Sequence, residues 1–234
     1  MTSSPPETRG EGAPRAWPLI LFAVACVALG YFFVSFGSEV AERETVTFDH
    51  AVRSWVIAHR SPVGRAFFGA LTWLGSSWVL LPAALLLGWQ LVRRGARVRP
   101  LLLAVTPLSF WLLVALLKQQ YRVTRPPAGV AANLGFSFPS GHASMSMAAA
   151  VVLSYVLVRE GLAPRWAFVI GPVLAIAVGL SRIYLDVHWT SDVLGGWAIG
   201  AAYGAACCAL YAWAHRRAER SARRRQRALA PSRH

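Results

Sequence analysis

The sequence predicts an all-α, polytopic membrane protein: a bundle of six transmembrane helices. Three observations carry that prediction. Of the 234 residues, 56% are hydrophobic and ten are Trp, and the mean hydropathy is +0.45. Charged residues make up only 15% and are lopsided, 24 Lys plus Arg against 10 Asp plus Glu, where soluble domains carry about 25%. The apolar residues also come in stretches of roughly 17 to 25, the length a helix needs to cross a hydrocarbon layer about 30 Å thick. A net charge of +14 would suit a nucleic-acid binder if it covered one face. Here the arginines gather in short runs between apolar stretches, which is a membrane pattern, and no nucleic-acid partner is expected.

The first span runs from Trp17 to Phe36. It is longer than the apolar core of a secretory signal and lacks a small-x-small cleavage pattern after it, so it reads as a retained anchor. Beyond it, Phe48, Val52, Trp55 and Val56 share one helical face while Asp49, Arg53 and Arg60 lie elsewhere. That spacing predicts an amphipathic helix on the outer membrane surface, packed over the bundle or admitting a lipid. The second span lies within Phe67 to Val92, beginning after the Gly75-Ser76-Ser77 break, with room for a short interfacial helix before it. The remaining spans are Pro100 to Leu117, His142 to Val158, Trp166 to Leu180 and Val193 to Trp213. The chain thus divides into an N-terminal tail (1–16), a membrane domain (17–214) and a basic C-terminal tail (215–234).

Loop charge sets the orientation. Arg93, Arg94, Arg97 and Arg99 follow span two, Arg159 and Arg165 follow span four, and the tail carries Arg216, Arg217, Arg220, Arg223, Arg224, Arg225, Arg227 and Arg233. Positive charge in short flanking segments marks the cytoplasmic side, so both termini are expected inside a cell membrane. The basic tail then serves topology and either contacts anionic lipid heads or stays a solvated, disordered segment. Cys26, Cys207 and Cys208 all fall inside spans, where they behave as small apolar residues, and their spacing offers neither a zinc site nor a plausible bridge.

The chemistry lies in the remaining polar residues. The only lysine, Lys118, ends span three; Arg125 and Pro126 follow; Pro139-Ser140-Gly141-His142 opens span four; Ser181-Arg182 closes span five, and His188 and Asp192 precede span six. The arginine-derived topology puts all of these at the outer ends of helices. Taken singly, each has a plain structural use: a snorkelling Lys118, an interfacial Arg182, a helix-capping His142, a loop His188. Together they describe an anion site. Guanidinium groups grip phosphate oxygens two at a time, and the Pro-Ser-Gly-His segment offers free backbone N–H groups at a helix N-terminus, with Gly141 allowing close approach. Neutral His188 can attack phosphorus while Asp192 accepts from its other ring nitrogen, and His142 can protonate the leaving oxygen.

The set Lys118-x6-Arg125-Pro126, Pro139-Ser140-Gly141-His142 and Ser181-Arg182-x5-His188-x3-Asp192 resembles the full three-part signature of the type 2 phosphatidic acid phosphatase superfamily, with no departure at any signature position. The resemblance covers residues 118–192 and implies a helical core shared with soluble acid phosphatases and vanadium haloperoxidases. It implies hydrolysis of a lipid phosphate through a phosphohistidine intermediate, with no metal and no other cofactor. On that resemblance His188 is the nucleophile, Asp192 its partner and His142 the general acid. Lys118, Arg125, Ser140, Gly141 and Arg182 hold the phosphate. Arg122 and Asp186 lie nearby but outside the signature. Phosphatidic acid, phosphatidylglycerophosphate and undecaprenyl diphosphate all present a suitable terminal phosphate, and the small, uncharged segment from Pro127 to Phe138 (Gly129, Gly135 and Phe136 among it) suits contact with lipid chains. A lipid phosphotransferase would use the same pocket, and a vanadate-dependent oxidase the same fold. A transporter would show inverted repeats or helices broken near the midplane.

Overall fold

The structure, a computed structural model, describes residues 17–96, 98–127 and 135–229. The N-terminal tail, Arg97, Gly129 and Arg233 lie outside the described residues. Among the described residues all the regular structure is helical: α1 (Trp17–Ala41), α2 (Val46–Ala58), α3 (Pro62–Leu71), a 3-10 turn (Thr72–Gly75), α4 (Ser77–Arg93), α5 (Val98–Tyr121), α6 (Gly141–Arg159), α7 (Ala167–Tyr184) and α8 (Thr190–Leu229). Six stretches are long and apolar enough to cross a membrane, as the hydropathy pattern predicts. Large apolar side chains such as Val27, Trp78, Leu86, Leu108, Val169 and Leu210 point outward and exposed. Such a surface is at home in lipid, where helices satisfy their own backbone.

The boundaries refine the sequence reading. The second stretch does break where glycine and serine interrupt it. Ser61 caps α3 by accepting from the Gly64 N–H at 3.0 Å, and α4 then spans 17 residues, about 26 Å of helix. Helix α1 continues beyond Phe36 to Ala41, and α5 and α7 extend far enough to carry Lys118 and Arg182 in their last turns. The largest departure is at the C-terminus. No tail separates after Trp213: α8 runs unbroken for 40 residues to Leu229. The reason is composition, because Ala, Arg, Glu and Gln are strong helix formers and nothing in the segment breaks a helix.

Helices α6 and α8 are the most buried spans and α1 the least. Their approach depends on Gly196, Gly200 and Gly204, spaced four apart on one face of α8. A Cβ on Gly196 would sit 3.0 Å from the Ser140 carbonyl oxygen, one on Gly204 2.8 Å from Val151 Cβ, and one on Gly200 would strike the Ser144 carbonyl. Small residues at this spacing let membrane helices pack backbone to backbone. At the bundle end remote from α2, Glu160 ties three helices together. It pairs with Arg99, accepts from the Tyr211 hydroxyl at 2.7 Å, and its backbone carbonyl accepts from Arg94 at 3.0 Å.

Glycine packing gives a prediction whose sign opposes helix propensity. Ala is the better helix former by about 1 kcal/mol, and Gly30→Ala, where a Cβ meets nothing within 4 Å, should be neutral or stabilising. Gly200→Ala should instead destabilise by about 1–3 kcal/mol through overpacking. Thermal unfolding of the two variants in detergent tests this, and equal Tm values would remove the close-packing account.

Candidate active site

Antiparallel helices bring the end of α5, the start of α6, the end of α7 and the start of α8 to one end of the bundle. Every polar residue singled out in the sequence lies there. Lys118, in the last turn of α5, donates through Nζ to the carbonyl oxygens of Phe136 and Ser137 at 2.8 and 2.9 Å. Arg125, in the extended segment after α5, donates through Nε to the Gly135 carbonyl at 3.1 Å and through Nη1 to the Val187 carbonyl at 2.8 Å. Arg182, in the last turn of α7, donates through Nη1 to the Thr72 hydroxyl at 2.8 Å, while its Nε is buried with no partner among the described residues.

The two histidines differ in their supports. His188 is buried in the five-residue turn between α7 and α8, and its Nδ1 lies 3.1 Å from Asp192 Oδ2. That oxygen also accepts from the Trp189 N–H at 2.8 Å, so Nδ1 carries the proton and Nε2 the lone pair. Arg125 Nη1 stands 3.2 Å from Nε2 as a donor. Burial, and then the positive charges of Arg125, Lys118 and Arg182, hold His188 well below its usual 6.5, so the ring is a neutral imidazole at physiological pH. Burial likewise lowers Arg125 from its usual value, though a guanidinium stays charged. His142 stands in the first turn of α6, within electrostatic reach of Arg182, His188 and Arg125.

The helix α6 N-terminus needs one correction. The Ser140 N–H is not free: it donates to the Asp192 backbone carbonyl at 2.9 Å. The remaining first-turn N–H groups, Gly141 to Ala143, are the ones helix geometry leaves without an intrahelical acceptor. Ser140 Oγ is buried without a partner among the described residues, and a Cβ on Gly141 would meet no atom within 4 Å. Those features suit an anion seated against the turn.

The charge balance points the same way. Lys118, Arg125 and Arg182 bring three positive charges and Asp192 one negative, while the buried His188 is neutral. The side chains gathered here therefore leave the site net positive. Among the described residues no group of three or more His, Cys, Asp or Glu gathers.

Three contributors escaped the sequence reading. Thr72 comes from the 3-10 turn inside the second span, at the break the Gly-Ser-Ser run marks. Arg53 and Asp49, on the amphipathic helix α2, reach the turn that carries His188 and the first turn of α8 after it. Arg53 pairs with Asp186 at 2.8 Å, and Asp49 accepts from Ser191 N–H at 2.8 Å. Of the two residues left outside the signature, Asp186 is therefore a buried ion-pair partner. Arg122 is exposed and lines a pocket of about 310 Å³ beside the site, together with Arg43, His50, Thr124 and Trp189. Thr124 and Trp189 are the chain neighbours of Arg125 and His188.

Known proteins resemble this chain in sequence and in fold. A model of the PAP2 superfamily matches residues 99–216. A phosphatidylglycerophosphatase B from Bacillus subtilis is 30% identical over 179 residues, 74% of this chain and 88% of that protein. An undecaprenyl-diphosphatase from Sulfolobus acidocaldarius is 38% identical over 65 residues, 28% of this chain and 29% of that one. The crystal structure of the transmembrane PAP2-type phosphatidylglycerolphosphate phosphatase from Bacillus subtilis superposes with a TM-score of 0.71 at 28% identity, covering 78% of this chain and 93% of that one. For Aquifex aeolicus LpxE the TM-score is 0.51 at 27% identity, with 67% and 92% covered. With its six spans, its site residues inside the matched stretch and a relative aligned over most of both chains, the chain belongs to the PAP2 superfamily, as a multi-pass membrane phosphatase.

Proposed function

We propose that the protein hydrolyses the terminal phosphate of a long-chain lipid phosphate at the outer face of the cell membrane, through a phosphohistidine on His188. The observation that carries this reading is the neutral, buried imidazole with Nδ1 on Asp192 and Nε2 among three cations. Nε2 attacks phosphorus; the bond from phosphorus to the ester oxygen breaks as His142 gives that oxygen its proton. Asp192 holds Nδ1–H and stabilises the imidazolium charge that develops. A water then attacks phosphorus and gives its proton to His142. The phosphorus–nitrogen bond breaks, inorganic phosphate leaves, and both histidines return to their starting states. Lys118, Arg125, Arg182, Ser140 and the α6 N–H groups from Gly141 onward hold the equatorial oxygens, where charge builds in the transition state. These cations supply the charge that a divalent metal would otherwise provide.

Phosphatidylglycerophosphate, phosphatidic acid and undecaprenyl diphosphate form the substrate class. The alignment with a phosphatidylglycerophosphatase over most of both chains supports the first. A site at helix ends lets the acyl or prenyl chains stay in lipid, and the neighbouring pocket leaves room for the rest of a head group. Orientation rests on the arginines. Arg93, Arg94, Arg99, Arg159 and Arg165 lie at the ends of α4 to α7 opposite the site, which supports cytoplasmic termini and an outward-facing active site. The membrane domain then spans 17–214 with the signature at 118–192, and the basic segment of α8 beyond it lies in the cytoplasm.

His188→Ala should reduce turnover to background while leaving the fold intact. His142→Ala should cost about 10²- to 10⁴-fold in kcat. Phosphate release from dioleoyl phosphatidic acid in detergent, with EDTA present throughout, reads both, and near-wild-type turnover by His188→Ala would end the mechanism. For topology, in a cysteine-free background, Pro127→Cys should react with an impermeant thiol reagent on intact cells, whereas Arg94→Cys and Arg220→Cys should not. The opposite pattern would put the site in the cytoplasm. For substrate, kcat/KM should favour phosphatidylglycerophosphate, phosphatidic acid or a polyprenyl diphosphate over glucose 6-phosphate. Equal or better hydrolysis of the sugar phosphate would defeat the lipid assignment.

A further inference from the structure

We infer that α2 is a clamp that holds the His188 turn in register from outside the bundle, with Arg53 and Asp49 as positioning residues acting through Asp186, Trp189 and Ser191. This rests on the reading of His188 as nucleophile.

The turn between α7 and α8 must reverse the chain within five residues and still aim an imidazole. Asp186 closes it with φ +60°, donating its N–H to the Ile183 carbonyl at 3.0 Å while Val187 N–H reaches the Arg182 carbonyl at 3.2 Å. That left-handed position after a helix is where glycine is ordinarily found. An aspartate there costs backbone strain that glycine avoids, so its side chain should have a use. The use is visible: the carboxylate is buried and accepts Arg53 Nε at 2.8 Å and Nη2 at 3.0 Å, a two-point pair that fixes direction as well as distance. Arg60 adds a contact at 3.7 Å.

Arg53 also lies over the Trp189 ring, 5.9 Å from its centroid. It therefore touches the chain on both sides of His188, two residues before it and one after. Trp189 in turn donates through Nε1 to the Thr124 carbonyl at 2.7 Å, just ahead of Arg125. One turn earlier on α2, Asp49 is buried and accepts from Ser191 N–H at 2.8 Å and from its hydroxyl at 2.6 Å. That carboxylate sits on the first turn of α8, where the helix dipole favours it, next to Asp192. The opposite face of α2 is different: Phe48 and Trp55 are exposed. So one face of α2 grips both supports of the nucleophile, and the other is left for the membrane surface.

A clamp predicts loss of kcat without loss of stability. The full-length protein in detergent is assayed for phosphate release from dioleoyl phosphatidic acid, alongside Tm. Arg53→Ala should lower kcat by about 10- to 100-fold, the cost of a nucleophile displaced by about 1 Å, with KM within about twofold and Tm nearly unchanged. Arg53→Lys keeps charge and bulk but cannot bridge both oxygens, so it should show most of the same loss, and it serves if the alanine variant does not fold. Asp186→Gly relieves the backbone but removes the acceptor. Because the pair acts as a unit, the double variant should be no slower than the slower single. Ser54→Ala, exposed on the same helix, should match wild type. Wild-type kcat in Arg53→Ala or Arg53→Lys, or multiplying losses in the double variant, overturns the clamp. An active His188→Ala control would overturn the nucleophile reading and the clamp with it.

Discussion

Three cations at one end of an apolar bundle are the constraint around which the rest of the structure is arranged. Like charges crowd there at a low effective dielectric, where their repulsion is felt strongly. The fold gives each of them neutral hydrogen-bond acceptors without cancelling its charge. Lys118 donates to the Phe136 and Ser137 carbonyls, Arg125 to those of Gly135 and Val187, and Arg182 to the Thr72 hydroxyl. Each acceptor is neutral. The single carboxylate among them, Asp192, spends one oxygen on His188 and Trp189. The other acids within reach are taken: Asp186 by Arg53, and Asp49 by Ser191 and Thr45. An unneutralised positive site at a membrane face is a site for an anion.

That economy explains which features were legible in the sequence. The signature residues could be read because each sits at a helix end, and helix ends follow from apolar length and the breaks between spans. His188 and Asp192 are four apart, so their pairing is a local fact, as is the placement of Gly141 and His142 in an opening turn. Arg53 with Asp186 and Asp49 with Ser191 join residues 133 and 142 positions apart, and no spacing in one sequence announces them. The amphipathic pattern of α2 predicts a helix on the outer membrane surface, packed over the bundle or admitting a lipid, but does not say what its polar residues meet; in the structure Asp49 and Arg53 face the site. Thr72 belongs with these, because the break before α4 was visible but its destination was not.

Two further differences have local causes. The Gly196, Gly200 and Gly204 spacing stands in the sequence, yet a spacing does not say which helix will press against it. Only α6 supplies the backbone that meets all three. Their closeness matters for the site, since the first of them packs against the Ser140 carbonyl and so fixes the α6 opening turn relative to Asp192, four residues before it on α8. The C-terminal arginines read as a topology signal that contacts anionic lipid heads or stays a solvated segment, because their charge pattern says nothing of helix propensity. Once α8 is under way, Ala and Arg keep extending it.

The two ends of the bundle show how an arginine that binds differs from one that anchors. At the end remote from the site, Arg99 pairs with Glu160, which also takes the Tyr211 hydroxyl, and Arg93 and Arg217 lie over Trp89 and Trp213. Those charges are paired or rest on indole rings, and they fix the position of helices. At the other end Arg53 behaves in the same way, its charge consumed by Asp186. Arg125 and Arg182 are as buried in protein, but their partners are carbonyls and a hydroxyl, and Arg182 keeps a buried N–H unsatisfied. Both groups are cationic side chains at or near helix ends. The partner's charge separates them, and that criterion supports the proposed phosphate-binding set of Lys118, Arg125 and Arg182, with Arg53 among the residues proposed to hold it in place.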